Sequence, residues 1–145
     1  MIYCRIKLSN HKYKSYDNSL ILDKPNLKEL QKIYKKYCDY KRFKSVMPLF
    51  ENDVKMHKVM GYYHEGNFVA FSLLYELDEH NLEAIQFAWD YKNPKLRLGI
   101  LSLENECDWA QTNGYKYLYL GRDDIFNNPN NYKSKFKGYE ILGTL

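Results

Sequence analysis

Between Asn93 and Ile100 the sequence gathers features suited to holding an anion. Asn93-Pro94 is a helix-opening pair, Lys95 and Arg97 supply two cations, and Gly99 leaves room for close approach. A helix that opens directly after a strand presents unpaired N–H groups and the positive end of its dipole. The alternative is that Gly99 only lets the helix pack on the sheet and that both cations face water. Of the 22 basic residues, only Arg5, Arg42, Arg97 and Arg122 are arginine, so bidentate clamps for phosphate or carboxylate are scarce.

Other chemistries find little support. His11, His57, His64 and His80 have no HxxxH or HExxH spacing, and Cys4, Cys38 and Cys107 form no CxxC pair, so neither a zinc site nor a disulfide framework is expected. There is no G-x-S-x-G motif and no Walker loop. Cys107 sits on an apolar helix face and reads as a small core residue. The charge is uneven: residues 1–48 carry 12 Lys and Arg against 4 Asp and Glu, a net +8, while the remainder is −4. A basic front third attracts polyanions in a salt-sensitive way; the alternative is a solvated lysine-rich face.

The elements that must position these residues follow from periodicity. Ile2, Cys4, Ile6 and Leu8 alternate with polar residues and predict a strand, and Leu20, Ile21 and Leu22 suggest a second short one. Asn26 with Glu29 opens a helix of capping-box type, with Leu27, Leu30, Tyr34, Tyr37 and Cys38 on one face and Lys28, Lys32, Lys35 and Lys36 mostly outside it. After a less regular segment at 41–56, strands are expected near 57–64, 67–77 and 82–90, the first two joined by a hairpin at His64-Glu65-Gly66-Asn67. A helix at about 95–113 ends at Asn113-Gly114, and a buried strand at 115–120 completes a β-α-β crossover. An Asn-rich loop, the YKSKFK segment and a last strand, YEILGTL, close the chain. The plan is one α+β domain, 1–145, with a mixed, mostly antiparallel sheet flanked by helices. No apolar run is long enough for a membrane span or a signal peptide, so a cytoplasmic protein is expected.

The order hairpin, strand, helix, strand resembles the core of the GNAT (acyl-CoA N-acyltransferase-like) superfamily, where acyl-CoA pyrophosphate binds at the helix start. Leu96 stands where that superfamily's loop has Gln or Arg, and Leu101 where it has a second small residue. A closer resemblance is to the arginyl-tRNA-protein transferase and bacterial leucyl-transferase (Bpt-type) family. LRLGILSLENECDWAQTNGYKYLYLGR, from Leu96 to Arg122, is similar to that family's SLGTYSILREIEWA and ELGLPYLYLGY. The run from Tyr132 to Glu140 resembles its YKxxFxPxE pattern at Tyr132, Lys133, Phe136 and Glu140, with Gly138 in place of proline. AIQFAWD resembles the family's AVYTFYD with Asp90 retained and Gln86 in place of tyrosine; Glu76 aligns with an acidic residue before the family's turn; and LQKIYKKYCDYKRFK resembles its YxRYQRxRH helix. Arg122 replaces the aromatic residue after LYLG, and the family's cysteine cluster has no counterpart in the matching stretch, roughly 26–145.

The resemblance implies transfer of an amino acid from aminoacyl-tRNA to an amine, either an acceptor peptide's amino terminus or a small amine, with no cofactor beyond the charged tRNA, no metal, no membrane and no DNA. It implies that Glu76 or Asp90 holds the acceptor ammonium, that Tyr119, Tyr132 or Lys133 donates to the oxyanion or the terminal nucleotide, and that Lys95, Arg97 and Gly99 hold a phosphate or the tRNA end. Gln86, Trp89, Arg122 and Phe136 would shape the substrate pocket. Lys35, Lys36, Lys41, Arg42 and Lys44 would track tRNA phosphates, with Tyr37 and Tyr40 available for stacking. Two rivals stand beside this reading. One is an acyl-CoA N-acetyltransferase in the same fold, with acetyl-CoA as cofactor; the other is a catalytically silent GNAT-like domain that binds RNA or protein.

Overall fold

The computed structural model describes residues 2–42, 48–90, 96–123 and 132–144. Among these residues seven strands form one sheet: β1 (Ile2–Lys7), β2 (Ser19–Ile21), β3 (Lys58–His64), β4 (Asn67–Glu76), β5 (Asn81–Trp89), β6 (Tyr117–Asp123) and β7 (Tyr139–Thr144). Their order in space is β2-β3-β4-β5-β6-β1-β7, antiparallel throughout except for the parallel β5–β6 pair. The central meander matches the expected strands to within a residue or so. The β3–β4 hairpin turns through Glu65 and Gly66, both at positive φ, the twist that a two-residue hairpin needs.

Alternation along the strands sends two apolar sets to opposite faces. Val59, Phe71, Leu73 and Ala88 pack with Leu30 and Ile33 of α1 (Leu27–Lys41) and Val54 of α2 (Glu51–Met56). Met60, Tyr62, Ala70, Leu74, Leu82 and Leu118 pack with Leu98, Leu103, Cys107 and Ala110 of α3 (Leu98–Thr112). Each fully buried large side chain, such as Phe71 or Leu82, contributes roughly 1.5–3 kcal/mol. The three cysteines are buried and unbridged. No helix among the described residues is long and apolar enough to cross a membrane.

Three local features depart from the sequence expectation. The 41–56 segment contains α2, whose first turn is closed by Asp53 Oδ2 accepting from the Phe50 N–H at 2.7 Å. The polar stretch after β1 is strapped across α3: Glu104 and Asn105 accept from the backbone of Lys14 and Tyr16, both at 2.7 Å, and Gln111 donates to His11 O at 2.8 Å. Finally, α3 begins at Leu98 rather than near 95, with Arg97 at its N-cap in a left-handed conformation, φ 53°.

Candidate active site

Strands β5 and β6 start as neighbours and then part. The parallel pairing runs from Asn81↔Tyr117 to Glu83↔Tyr119. From there β6 follows β1 as far as Asp123↔Ile2, while β5 stays with β4 to Trp89↔Ala70. Each arm carries an extra residue at the fork: Ile85 on β5, between Gln86↔Leu73 and Ala84↔Leu74, and Leu120 on β6, between Gly121↔Cys4 and Tyr119↔Arg5. A bulge bends its strand and leaves a residue outside the ladder, so a bulge on each arm at the same level opens the sheet. Among the described residues, no strand pairs with the fork side of β5 beyond Glu83.

A cavity of about 390 Å³ fills the fork, within the size range of small-ligand sites. Residues from Ala84 to Phe87 and Trp89 form one wall and Leu120 the other; Gly99, Ile100, Ser102, Leu103 and Glu106 of α3 border it from one face of the sheet, and Tyr37 and Lys41 of α1 from the opposite face. Lys133, in the 3-10 turn Tyr132–Lys135, completes the lining.

Glu106 is the buried acid of this cavity. It is 4% exposed, on the same face of α3 as Leu103, Cys107 and Ala110. Its Oε1 accepts from Ser72 Oγ at 2.7 Å, and Ser72 Oγ lies 3.0 Å from the Tyr62 hydroxyl. Ser72 has a single hydroxyl hydrogen and directs it to Glu106, so Tyr62 donates to Ser72. Burial raises the Glu106 carboxyl to about 7, against the lowering effects of the Ser72 hydrogen bond and the Lys133 charge. Burial likewise raises the Tyr62 phenol, which stays a neutral donor.

The structure gathers some of the expected residues and separates others. Gln86, Trp89, Gly99, Lys41 and Lys133 all line the cavity. Gln86 Nε2 donates to Phe87 O at 2.8 Å. A Cβ on Gly99 would meet no atom of the described residues within 4 Å, so close packing against them does not require the glycine. Asp90, just past β5, takes Lys36 Nζ at 3.1 Å on its Oδ2, tying α1 to the open end of the strand. Lys36 therefore has an internal partner as well as any external one. Lys35 is exposed beside Asp39, and Arg42 is the left-handed C-cap of α1. Arg97 is exposed at the N-cap of α3.

Glu76 is a different matter. It lies opposite Leu82 and accepts from the Tyr115 hydroxyl beyond the far end of α3, whereas Asp90 follows Trp89, so the two acids stand roughly 25 Å apart along β5. They cannot hold one amine between them. Tyr119 faces away from α3; its hydroxyl accepts from Arg5 Nη1 at 3.0 Å, and Arg5 also bonds Glu140 at 2.8 Å and lies 3.8 Å from the Tyr117 ring centroid. Phe136 stacks on Tyr13 at 5.8 Å, a packing role outside the cavity lining. The backbones of Arg122, in β6 opposite Tyr3, and Tyr132, at the start of the 3-10 turn, are placed by the structure. Lys44 and Lys95, with Asn93 and Pro94, lie outside the described residues.

The residue that sequence reasoning missed is Glu106. Its signal was an acid four residues after Ser102 on the apolar face of an amphipathic helix, where an unpaired carboxylate is costly.

The profile of the family described as arginine-tRNA-protein transferase, C terminus, matches residues 10–143. The chain belongs to that family. The solved structures it is similar to include a C-terminal domain named for a putative lysylphosphatidylglycerol synthetase from Agrobacterium fabrum, at 14% identity and TM-score 0.66, covering 94% of this chain and 53% of that one. L-PGS from Bacillus licheniformis matches at 16% identity and TM-score 0.66 over 83% of this chain and 44% of its own. A GNAT family acetyltransferase from Elizabethkingia anophelis, solved with acetyl-CoA bound, matches at 15% identity and TM-score 0.55, covering 83% of this chain and 75% of that one. These likenesses establish a GNAT-like fold, and the chain spans about half the length of the first two. No curated protein sequence matches it significantly.

Proposed function

We propose that this member of the arginine-tRNA-protein transferase family moves an amino acid from charged tRNA to an amine, either a peptide amino terminus or a small amine. The observation that carries the reading is that Tyr37 and Lys41, at the end of the basic helix α1, border the same cavity as the first turns of α3. A tRNA held by phosphate contacts along the exposed lysines of α1 would have its 3′ end, and the ester on it, at the fork.

An aminoacyl ester is already activated, so the protein's main task is to place the amine against the carbonyl and to stabilise the oxyanion that follows. Lys133 supplies positive charge at the cavity wall, and the bulged backbone around Ile85 supplies polar groups outside the β4 ladder. Charged tRNA is the co-substrate in this reading, no further cofactor enters, and the reaction belongs in the cytoplasm where charged tRNA is found. Against acetyl-CoA stands Leu96, which packs on the core at the position where a phosphate-binding side chain is expected.

The test offers the full chain tRNAs charged with each labelled amino acid together with a mixed peptide pool, with acetyl-CoA in a parallel arm. Label in the peptides supports the reading. Acetylated peptides with no aminoacyl transfer would overturn it, as would equal binding of charged and uncharged tRNA with no product in either arm.

A further inference from the structure

Glu106 is more than a tolerated buried acid. Its side chain is 4% exposed, yet it borders a cavity, and the fold directs the Ser72 hydroxyl onto it, with Ser72 itself held by Tyr62. A carboxyl kept solely for packing would be replaced at little cost by an apolar residue, because an unpaired buried charge is strongly destabilising. Here β3, β4 and α3 together hold one carboxyl at the space between β5 and β6.

We infer that Glu106 is the proton acceptor for the attacking amine, with Ser72 and Tyr62 as positioning residues behind it. This rests on the transferase reading above. The acceptor arrives as an ammonium, which cannot attack. Glu106 takes one proton from it, and the freed nitrogen lone pair forms the new C–N bond at the ester carbonyl carbon. The carbonyl π electrons move to oxygen, beside Lys133. On collapse, the C–O bond to the ribose breaks with its electron pair on the ribose oxygen, and Glu106 returns its proton there. The second surplus proton on nitrogen leaves to water. The products are an amide and a tRNA with a free ribose hydroxyl, and Glu106 is again a carboxylate. Nothing is oxidised or reduced.

The groups facing Glu106 come from every element around it. Tyr62 on β3 and Ser72 on β4 form the hydrogen-bonded chain, Lys133 in the 3-10 turn opposes its protonation, and Lys41 and Tyr37 on α1 share the cavity from the other face. Cys107 is its neighbour on α3, and among the described side chains the β5 and β6 residues that line the cavity carry no titratable group. A carboxyl balanced near neutrality, as Glu106 is at about 7, suits a group that must both take and return a proton.

The experiment measures single-turnover transfer against pH at saturating charged tRNA, using the tRNA and peptide that the wild type accepts, and compares wild type, Glu106→Gln and Ser72→Ala. In parallel, the unfolding free energy of wild type and Glu106→Gln is followed with pH, which reads the titration of Glu106 without any substrate. The inference expects Glu106→Gln to lower the rate at least about a hundredfold, with charged-tRNA affinity changed less than about twofold. The wild-type rate should rise with a midpoint that coincides with the unfolding titration, and in Ser72→Ala that midpoint should move to higher pH. A Glu106→Gln rate close to that of wild type overturns the inference while leaving the transferase reading intact, and so does a midpoint that follows the acceptor amine rather than the Ser72 variant. A wild type that transfers from no charged tRNA rejects the transferase reading itself, and the proton-acceptor role with it.

Discussion

Ile85 and Leu120 are the bulged residues of adjacent strands, one on each arm of the fork, and both line the cavity. The opening between β5 and β6 is thus built by two local insertions at one level of the sheet. The cavity sits where the ladder fails, and the ladder fails at two specified residues.

The room in the fork can be tested at Gly99. A methyl there meets none of the described residues at the start of α3, so Gly99→Ala should raise stability by up to about 1 kcal/mol, the usual helix gain over glycine. Gly99→Phe should fold as well as wild type and lose substrate, because the ring fills the cavity. Thermal unfolding together with a transfer assay checks both halves.

Glu106 should leave a mark on stability against pH. Its carboxyl sits at about 7 in the fold against 4.5 unfolded, so the native state binds the extra proton between those values. Stability attributable to this site is therefore highest below pH 4.5 and falls as pH rises through 7. The loss is roughly 3 kcal/mol when complete. Glu106→Gln keeps an acceptor for Ser72 and should be more stable than wild type at about pH 8 and about equal near pH 4.5, measured by denaturant unfolding at both.

Lys133 lies at the cavity wall, where its charge acts on Glu106 and on a developing oxyanion. Lys133→Ala should lower the single-turnover rate on the order of a hundred- to a thousandfold, equivalent to about 2.7–4 kcal/mol, with much less effect on tRNA affinity. It should also move the rate midpoint to higher pH, since the Lys133 charge holds the Glu106 carboxyl down. A pH profile of the variant checks the direction.

Among the helix cations, Lys36 stands apart. It is tied to Asp90, so replacing it disturbs the packing of α1 against β5 as well as any phosphate contact. Lys32, Lys35 and Arg42 are exposed, and reversing them should weaken tRNA binding and flatten the plot of log affinity against log salt by about 0.7–0.9 for each phosphate no longer neutralised. Unchanged tRNA affinity in that triple variant would show that the basic helix is only a solvated face.

Most of the scaffold is legible in the sequence because the meander alternates with period two and α1 carries its Asn26 cap, which accepts from Lys28 and Glu29 N–H as the spacing predicts. The start of α3 is not, because Pro94 is a strong helix-opening signal, whereas the helix begins after the left-handed Arg97. The fork is invisible in the sequence, since a bulge is a property of two paired strands and Ile85 and Leu120 look like ordinary strand residues in isolation. The separation of Glu76 from Asp90, by contrast, follows from the expected strands, since Glu76 closes one at the turn and Asp90 lies at the far end of the next; the face on which Tyr119 lies is not legible in the same way.

One departure from the family pattern gains a physical reason. Gly138 replaces a proline, and its φ is +87°, a conformation closed to proline. A Cβ there would also collide with the carbonyl oxygen of Lys7, whose N–H donates to Gly138 O at 2.8 Å. Gly138→Ala should cost more than the roughly 1–3 kcal/mol of the strained φ alone, because the Lys7 carbonyl must also move, and Gly138→Pro should cost more still; urea midpoints check both.

Transfer at the fork is read most directly in the intact mass of the acceptor peptides after incubation with the full chain and charged tRNAs, with Gly99→Phe as the matched control. Transfer at the fork predicts peptides heavier by one amino-acid residue with wild type and unmodified peptides with Gly99→Phe. Unmodified peptides with wild type, or equal modification by both proteins, would contradict it.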